Sequence, residues 1–271
     1  MNEGELVRLV SARMREQEHR VFPVEHEGRV LWVKRAERVA FKVQCARLAQ
    51  RLIQGTTRIE ALRPARLVGG AAGIRGEIAA MRELRSRGAR VPTVVAVAPD
   101  HAWFAMESLG ESLGKIYHYR PEEGHRHELL RGAASALADF HSQGLVHGAP
   151  VLRNIVHERD GAAERFGFID FECHPGDSMP LDAAQARDFL WYLWSATHFL
   201  HGDESRAAAL IDGYRRFAPA HVWPQVERIK QFLDRTDWLL RPFRLRSGSD
   251  LRRLASTRKA LARTVTRAGE G

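Results

Sequence analysis

The sequence predicts an α+β protein: a sheet-bearing N-terminal part followed by a mainly helical C-terminal part. Strand-like alternation of apolar and polar residues gathers in the first third of the chain, whereas the last two thirds carry mostly helical spacing. The 271 residues, 44% of them hydrophobic, suffice for one large domain or two lobes with a real core. No internal repeat or low-complexity stretch interrupts the pattern.

Taken in order, residues 4–17 place Leu6, Leu9, Val10 and Met14 on one helical stripe. Arg20–Val24 and Arg29–Lys34 alternate as strands around the turn Glu27-Gly28, which predicts a hairpin. Residues 37–54 read as a helix with Val39, Val43, Leu48 and Leu52 apolar and basic residues between them. Gly55–Gly76 is rich in Gly, Pro and Arg and reads as an irregular connection. Residues 76–87 return to helical spacing, with Ile78, Met81 and Leu84 as the buried stripe and Gly88 as the stop. Val91–Ala98 and Trp103–Glu107 are strands separated by Pro99-Asp100-His101. Helices follow at about 126–143, 181–200, 204–216 and 224–237. The implied organisation is 1–107, 108–240 and a basic tail at 241–271.

Charge is unevenly spread. Of the formal +9, residues 241–271 supply +7 (nine basic residues against Asp250 and Glu270), which leaves +2 for the other 240. Such a tail attracts phosphate, on nucleic acid or on anionic lipid. A single aromatic residue, Phe243, lies among its basic ones, too little interleaving for base stacking, so the pattern favours an anionic membrane surface over nucleic acid. The longest apolar run, Phe189–Leu200, is broken by Ser195, Thr197 and His198 and is too short to span a bilayer. The first residues lack a secretory pattern, and Cys45 and Cys173 have no partner at disulfide or metal spacing. The expected location is cytoplasmic, with peripheral attachment at the inner face of the membrane.

Four features carry chemistry. Strand Leu31-Trp32-Val33-Lys34 ends in an amine that can neutralise the α- and β-phosphates of ATP if a carboxylate holds it. Glu77, next to the buried stripe of the following helix, is the expected partner; Glu83 lies at the wrong helical angle. In residues 145–172, Asn154 follows His147-Gly148 by a few residues, and Asp170 ends the apolar strand Phe166-Gly167-Phe168-Ile169. A neutral and a charged oxygen donor suit a Mg²⁺ that bridges phosphates. Asp188 lies in an otherwise apolar helix, where a buried carboxylate needs donors, and the backbone around His147–Ala149 is expected to supply them.

The ordered set Lys34, Glu77, the connector after Trp103–Glu107, His147-Gly148 with Asn154, Asp170-Phe171-Glu172 and Asp188 resembles the protein-kinase-like superfamily. The likeness, over roughly residues 20–200, is to its atypical bacterial lipopolysaccharide kinases and RIO-like kinases. It implies a two-lobed kinase-like fold with a small antiparallel sheet, Lys34 on the ATP phosphates, and Glu107–Gly110, with Glu107 and Leu109, as the hinge against adenine. It also implies Mg²⁺ on Asn154 and Asp170, and a hydroxyl acceptor on a saccharide or protein.

Three departures stand out. Residues 25–30 hold only Gly28 where a glycine-rich loop is usual, Ala149 stands where protein kinases place the catalytic Asp, and Val151 replaces a phosphate-binding Lys. His147, Arg153 and Glu172 are the nearby polar groups, and His147, Asn154 and Asp170 form the candidate catalytic set. Two readings follow: a kinase without that base, or a pseudokinase that binds nucleotide or a partner as a regulator.

Overall fold

The computed structural model describes residues 3–119, 125–161, 163–200, 202–240 and 249–266. In chain order the elements are α1 (Glu3–Glu16), β1 (Val21–His26), β2 (Arg29–Arg35), α2 (Phe41–Thr57), β3 (Arg66–Leu67) and α3 (Gly70–Ser86). There follow β4 (Val94–Val97), β5 (Trp103–Glu107), β6 (Glu111–Ser112), α4 (Leu113–Tyr119), α5 (Arg126–Ser142), β7 (Ile155–Asp160) and β8 (Ala163–Phe168). The chain closes with β9 (Cys173–His174), α6 (Leu181–Thr197), α7 (Glu204–Arg215), α8 (Trp223–Leu240) and α9 (Ser249–Thr266). The fold class is α+β, as the distribution of periodicities predicts.

The N-terminal lobe is built on an antiparallel sheet ordered β1-β2-β5-β4. Its first hairpin turns at Glu27 and Gly28, both left-handed (φ 48° and 71°), the backbone of a two-residue turn matched to strand twist. Strand β1 forms the rim, with Pro23 opposite Trp32. Alternation along β2 sends Leu31 and Val33 to one face, where Leu6 and Val10 of α1 cover them together with Phe22 and Trp103. Trp32 and Lys34 take the opposite face.

The helical lobe packs α5, α6, α7 and α9 around Leu130, Leu137, Phe189, Tyr192 and Tyr214, and this core continues into the first lobe through Ile78, Met81, Phe104 and Met106. Phe189 stacks on Tyr214 with ring centroids 4.0 Å apart. A three-stranded sheet, β6-β7-β8, holds the segment between Asn154 and Asp170.

Local details alter the sequence reading or add to it. Helix α3 starts at Gly70, inside the stretch read as irregular, and α4 follows directly on β6. Helix α2 begins at Phe41 rather than at residue 37, and of its apolar residues Leu48 is 60% and Leu52 67% exposed. The segment read as a tail folds back as α9 and seats Ala260 and Leu261 in the main core, 2% and 1% exposed. Arg253 lies over the Trp194 ring, 4.9 Å from its centroid, and Arg258 pairs with Asp234 at 3.1 Å. Part of the C-terminal positive charge is therefore engaged in packing. Arg241, Arg244, Arg246 and Arg267 lie outside the described residues.

Candidate active site

Lys34 is the centre of the site. Its amine, on a side chain only 4% exposed, meets Glu77 Oε1 at 2.7 Å, Asp170 Oδ1 at 2.6 Å and Glu172 Oε1 at 2.8 Å. Three segments converge to build this contact: β2 of the sheet lobe, α3, and the turn after β8. Glu77 lies one helical turn beyond Ile74 on the buried face of α3, whereas Glu83 is exposed. Glu77 Oε1 also accepts the N–H of Phe171 at 3.2 Å, so one oxygen ties α3 to the Asp170-Phe171-Glu172 turn. Its second oxygen is buried without a donor among the described residues.

Arg20 completes the cluster. Its guanidinium pairs with Glu172 and lies 3.4 Å from Glu37 Oε2. Glu77, Asp170 and Glu172 against Lys34 and Arg20 leave one net negative charge when all five are ionised. Burial works against the charge on Lys34, yet the three carboxylates outweigh it and hold the ammonium above its ordinary value. Burial also opposes ionisation of Asp170, and there the pull of Lys34 wins and lowers it. For Glu77 burial prevails over Lys34 and lifts the carboxyl to about 7.

The loop between His147 and Asn154 is held from below by α6. Asp188, fully buried, accepts the N–H groups of His147 at 2.6 Å and Gly148 at 2.9 Å, the role its apolar surroundings predict. Arg187 donates to the Gly148 carbonyl, and Ser195 Oγ accepts the Leu152 N–H at 3.1 Å. The His147 ring is 1% exposed; its Nδ1 accepts the Ala149 N–H at 3.2 Å and its Nε2 lies 3.1 Å from the Ile169 carbonyl. Both contacts demand the neutral Nε2–H tautomer, and burial lowers the imidazole's pKa against the opposing charges of Asp188 and Asp170.

Asn154, 4% exposed, donates through Nδ2 to the Ala149 carbonyl at 3.0 Å, and its own carbonyl accepts the Ile169 N–H at 3.0 Å. Ile169 thus joins both immediately before Asp170: its carbonyl accepts from His147 Nε2 and its N–H donates to the Asn154 backbone carbonyl. Asp170 itself has φ 70°, a left-handed conformation that among non-glycine residues Asp and Asn tolerate best. Glu107 and Leu109 stand apart from the charged cluster: the Glu107 carboxylate faces Arg29 at 3.6 Å, and the Leu109 carbonyl accepts from Arg90 at 3.1 Å.

Residues 16–190 match the model of the lipopolysaccharide kinase (Kdo/WaaP) family. The chain belongs to that family. It is also similar, at 23% identity over 239 residues, to an uncharacterized protein of Haemophilus influenzae, with 87% of this chain and 86% of that protein covered. Among solved structures it is similar to WaaP in complex with acyl carrier protein, at 16% identity and TM-score 0.45, covering 90% of this chain and 91% of that one. Two further similarities, each at 16% identity, are to kinases. For the PknI kinase domain of Mycobacterium tuberculosis the TM-score is 0.36, with 66% of either chain covered. For the Rio2 kinase complex with ADP, Mg²⁺ and phosphoaspartate from Chaetomium thermophilum it is 0.39, with 92% of this chain and 68% of that one covered.

Within this lipopolysaccharide kinase family member, sequence reasoning missed Arg20 and the double pairing of Glu172. Arg20 precedes the first strand and meets a residue 152 positions away, so no local periodicity marks it. The available signal was the carboxylate of Glu172 two residues after Asp170, a charge that needs a cation if it turns inward.

Proposed function

We propose that the chain is an ATP-dependent phosphotransferase of the atypical kinase-like type, transferring phosphate to a hydroxyl of a lipopolysaccharide-type sugar or of a protein Ser or Thr. The observation that carries this reading is the convergence of Lys34 from one lobe with Glu77 and Asp170 at 2.7 and 2.6 Å. An ammonium held in place by a buried carboxylate is preorganised for a polyphosphate and needs little rearrangement when one binds. Glu77 orients Lys34 toward the α- and β-phosphates. The backbone of the 107–110 connector, at Glu107 and Leu109, receives the adenine edge.

The donor set also fits a divalent cation. With all five groups ionised the charged cluster carries one excess negative charge, Asp170 is half-buried rather than sealed, and hard oxygen donors match Mg²⁺. Asp170 and the side-chain oxygen of Asn154 are assigned to hold Mg²⁺, which when bound neutralises charge on the phosphates. His147 acts as a positioning residue: with both ring nitrogens spent on Ala149 and Ile169, it fixes the loop that carries Asn154. Phosphoryl transfer rests on positioning and charge neutralisation, and a general base adds about 10²–10⁴-fold, so Ala149 implies a slow enzyme rather than none.

Ala149 favours a second reading, a pseudokinase that binds nucleotide as a regulator. Under both readings the protein works at the cytoplasmic face of an anionic membrane, with basic residues of the C-terminal segment and the exposed Leu48 and Leu52 of α2 toward lipid. No helix among the described residues is long and apolar enough to cross a membrane. Titration calorimetry with ATP and Mg²⁺ tests the site: Lys34→Ala and Asp170→Ala lose binding, and parent-like binding by both rejects the assignment. ATP turnover with saccharide and protein acceptors then separates enzyme from pseudokinase.

A further inference from the structure

The first hairpin puts its glycine at the wrong end for phosphate. Val21 pairs with Lys34 and His26 with Arg29, so Gly28 turns the hairpin about 17 Å from Lys34, at 3.3 Å per residue. Backbone N–H groups of that turn cannot cradle phosphates that lie on Lys34. Val151 supplies no charge from the other lobe and is 7% exposed. The residue at the Lys34 end of the hairpin is Arg20. Its carbonyl accepts the Arg35 N–H at 2.9 Å. The Arg35 guanidinium in turn donates to the Gln17 and Met14 carbonyls at 2.7 and 2.9 Å, which pins the segment leading into β1.

Glu172 Oε1 marks an anion position beside these two cations. It accepts from Lys34 Nζ at 2.8 Å and from an Arg20 Nη, so one anionic oxygen bridges ammonium and guanidinium. The second Glu172 oxygen lies 3.4 Å from the other Arg20 Nη. A non-bridging phosphate oxygen presents the same charge to the same donors, and a guanidinium fork grips phosphate as it grips carboxylate. Resting on the phosphotransferase reading of the site, we propose that Arg20 exchanges Glu172 for the γ-phosphate of ATP. It does with a side chain what a glycine-rich loop does with backbone. Two cations that share one oxygen are close enough to hold neighbouring phosphates of one nucleotide. Lys34, 4% exposed, takes the inner α- and β-phosphates; Arg20, 34% exposed, lies toward solvent and takes the terminal one. Glu37, 3.4 Å from Arg20 Nε, keeps the guanidinium anchored through the exchange. Triphosphate is then bound more tightly than diphosphate, and charge that builds on the transferred phosphoryl group meets a fixed cation.

The test is titration calorimetry of the full chain with ATP and with ADP, each in the presence of Mg²⁺. The parent should prefer ATP. Arg20→Gln should weaken ATP about tenfold or more and ADP by less than about threefold, whereas Arg20→Lys, which keeps the charge, should recover much of the loss. A merely structural Arg20 would lower both nucleotides together, so the ratio of the two affinities separates the roles. Glu172→Gln breaks the same ion pair from its other side and should keep the preference for ATP, because Arg20 remains. A parent that binds both nucleotides equally, parent-like ATP affinity in Arg20→Gln, equal losses of ATP and ADP, or a lost preference in Glu172→Gln overturns the clamp and leaves nucleotide binding in place. A parent that binds neither nucleotide overturns the phosphotransferase reading and the clamp with it.

Discussion

Asp188 ties down the backbone of His147: its Oδ2 lies 2.6 Å from the His147 nitrogen, inside a region with no water access. Because Oδ1 takes Gly148 as well, one side chain of α6 sets the course of the loop that delivers Asn154. Asp188→Ala leaves two buried N–H groups without acceptors, at about 1–3 kcal/mol each. Urea denaturation should show a loss of about 2–5 kcal/mol, and a variant within 0.5 kcal/mol of the parent (roughly the scatter of neutral surface changes) would show the loop to be held by something else.

Gly148 has φ 101°, and a Cβ there would lie 2.4 Å from the Cys173 carbonyl oxygen. Gly148→Ala therefore combines left-handed strain with a backbone collision across the site. A cost of at least about 2 kcal/mol is expected in the same denaturation experiment, together with weaker ATP binding as the turn after Asp170 is pushed away.

In the proposed ATP site, Glu172 competes with phosphate for Lys34. Glu172→Gln removes one negative charge beside the amine while keeping its shape. Metal-free ATP should bind about fivefold more tightly, the worth of one solvent-screened charge contact of about 1 kcal/mol. Calorimetry in the presence of a chelator reads this directly, and unchanged or weaker affinity contradicts the competition.

His147 makes stability pH-dependent. Its folded pKa lies below the ordinary 6.5, so above pH 6.5 folded and unfolded chains are both neutral there and its contribution is intact. As pH falls below 6.5 the unfolded state takes up the proton first, and stability declines by up to about 1.4 kcal/mol per pH unit. His127 and His174 shift the same way, so the effect is isolated by comparing the parent with His147→Gln across pH 5–7 in urea melts, an interval of about two units around that value. The variant should show the shallower slope.

Helix α9 is part of the helical lobe's core. Leu261→Ala should cost about 2–4 kcal/mol by thermal denaturation, as for other buried leucines. Truncation after Leu240 would thus unfold the lobe as well as remove charge, and membrane docking is better tested by reversing the charge of exposed basic residues. A truncated chain that melts like the parent would contradict the packing of α9.

Much of the site was legible because its parts sit on strongly patterned elements. Lys34 ends an alternating strand, Glu77 borders a clean helical stripe, and Asp188 is a lone acid in an apolar helix. Each announces itself locally. Arg20 and Glu172 meet across most of the chain, and such a pair has no signature in spacing. The stripe of α2 was visible, but its exposure was not, because periodicity reports that a helix has an apolar face and not whether a neighbour covers it. The C-terminal segment misled for a related reason: its basic residues dominate the composition, while among the described residues it is Thr257, Ala260 and Leu261 that it buries.

Pro23 stands in the middle of the rim strand, with Glu25 exposed two residues on. Proline offers no N–H, so a strand from a second molecule laid alongside β1 would find its ladder interrupted at the centre and an acid beside the gap. This border of the sheet is thereby protected against edge-to-edge aggregation, and concentrated solutions should not gel through it.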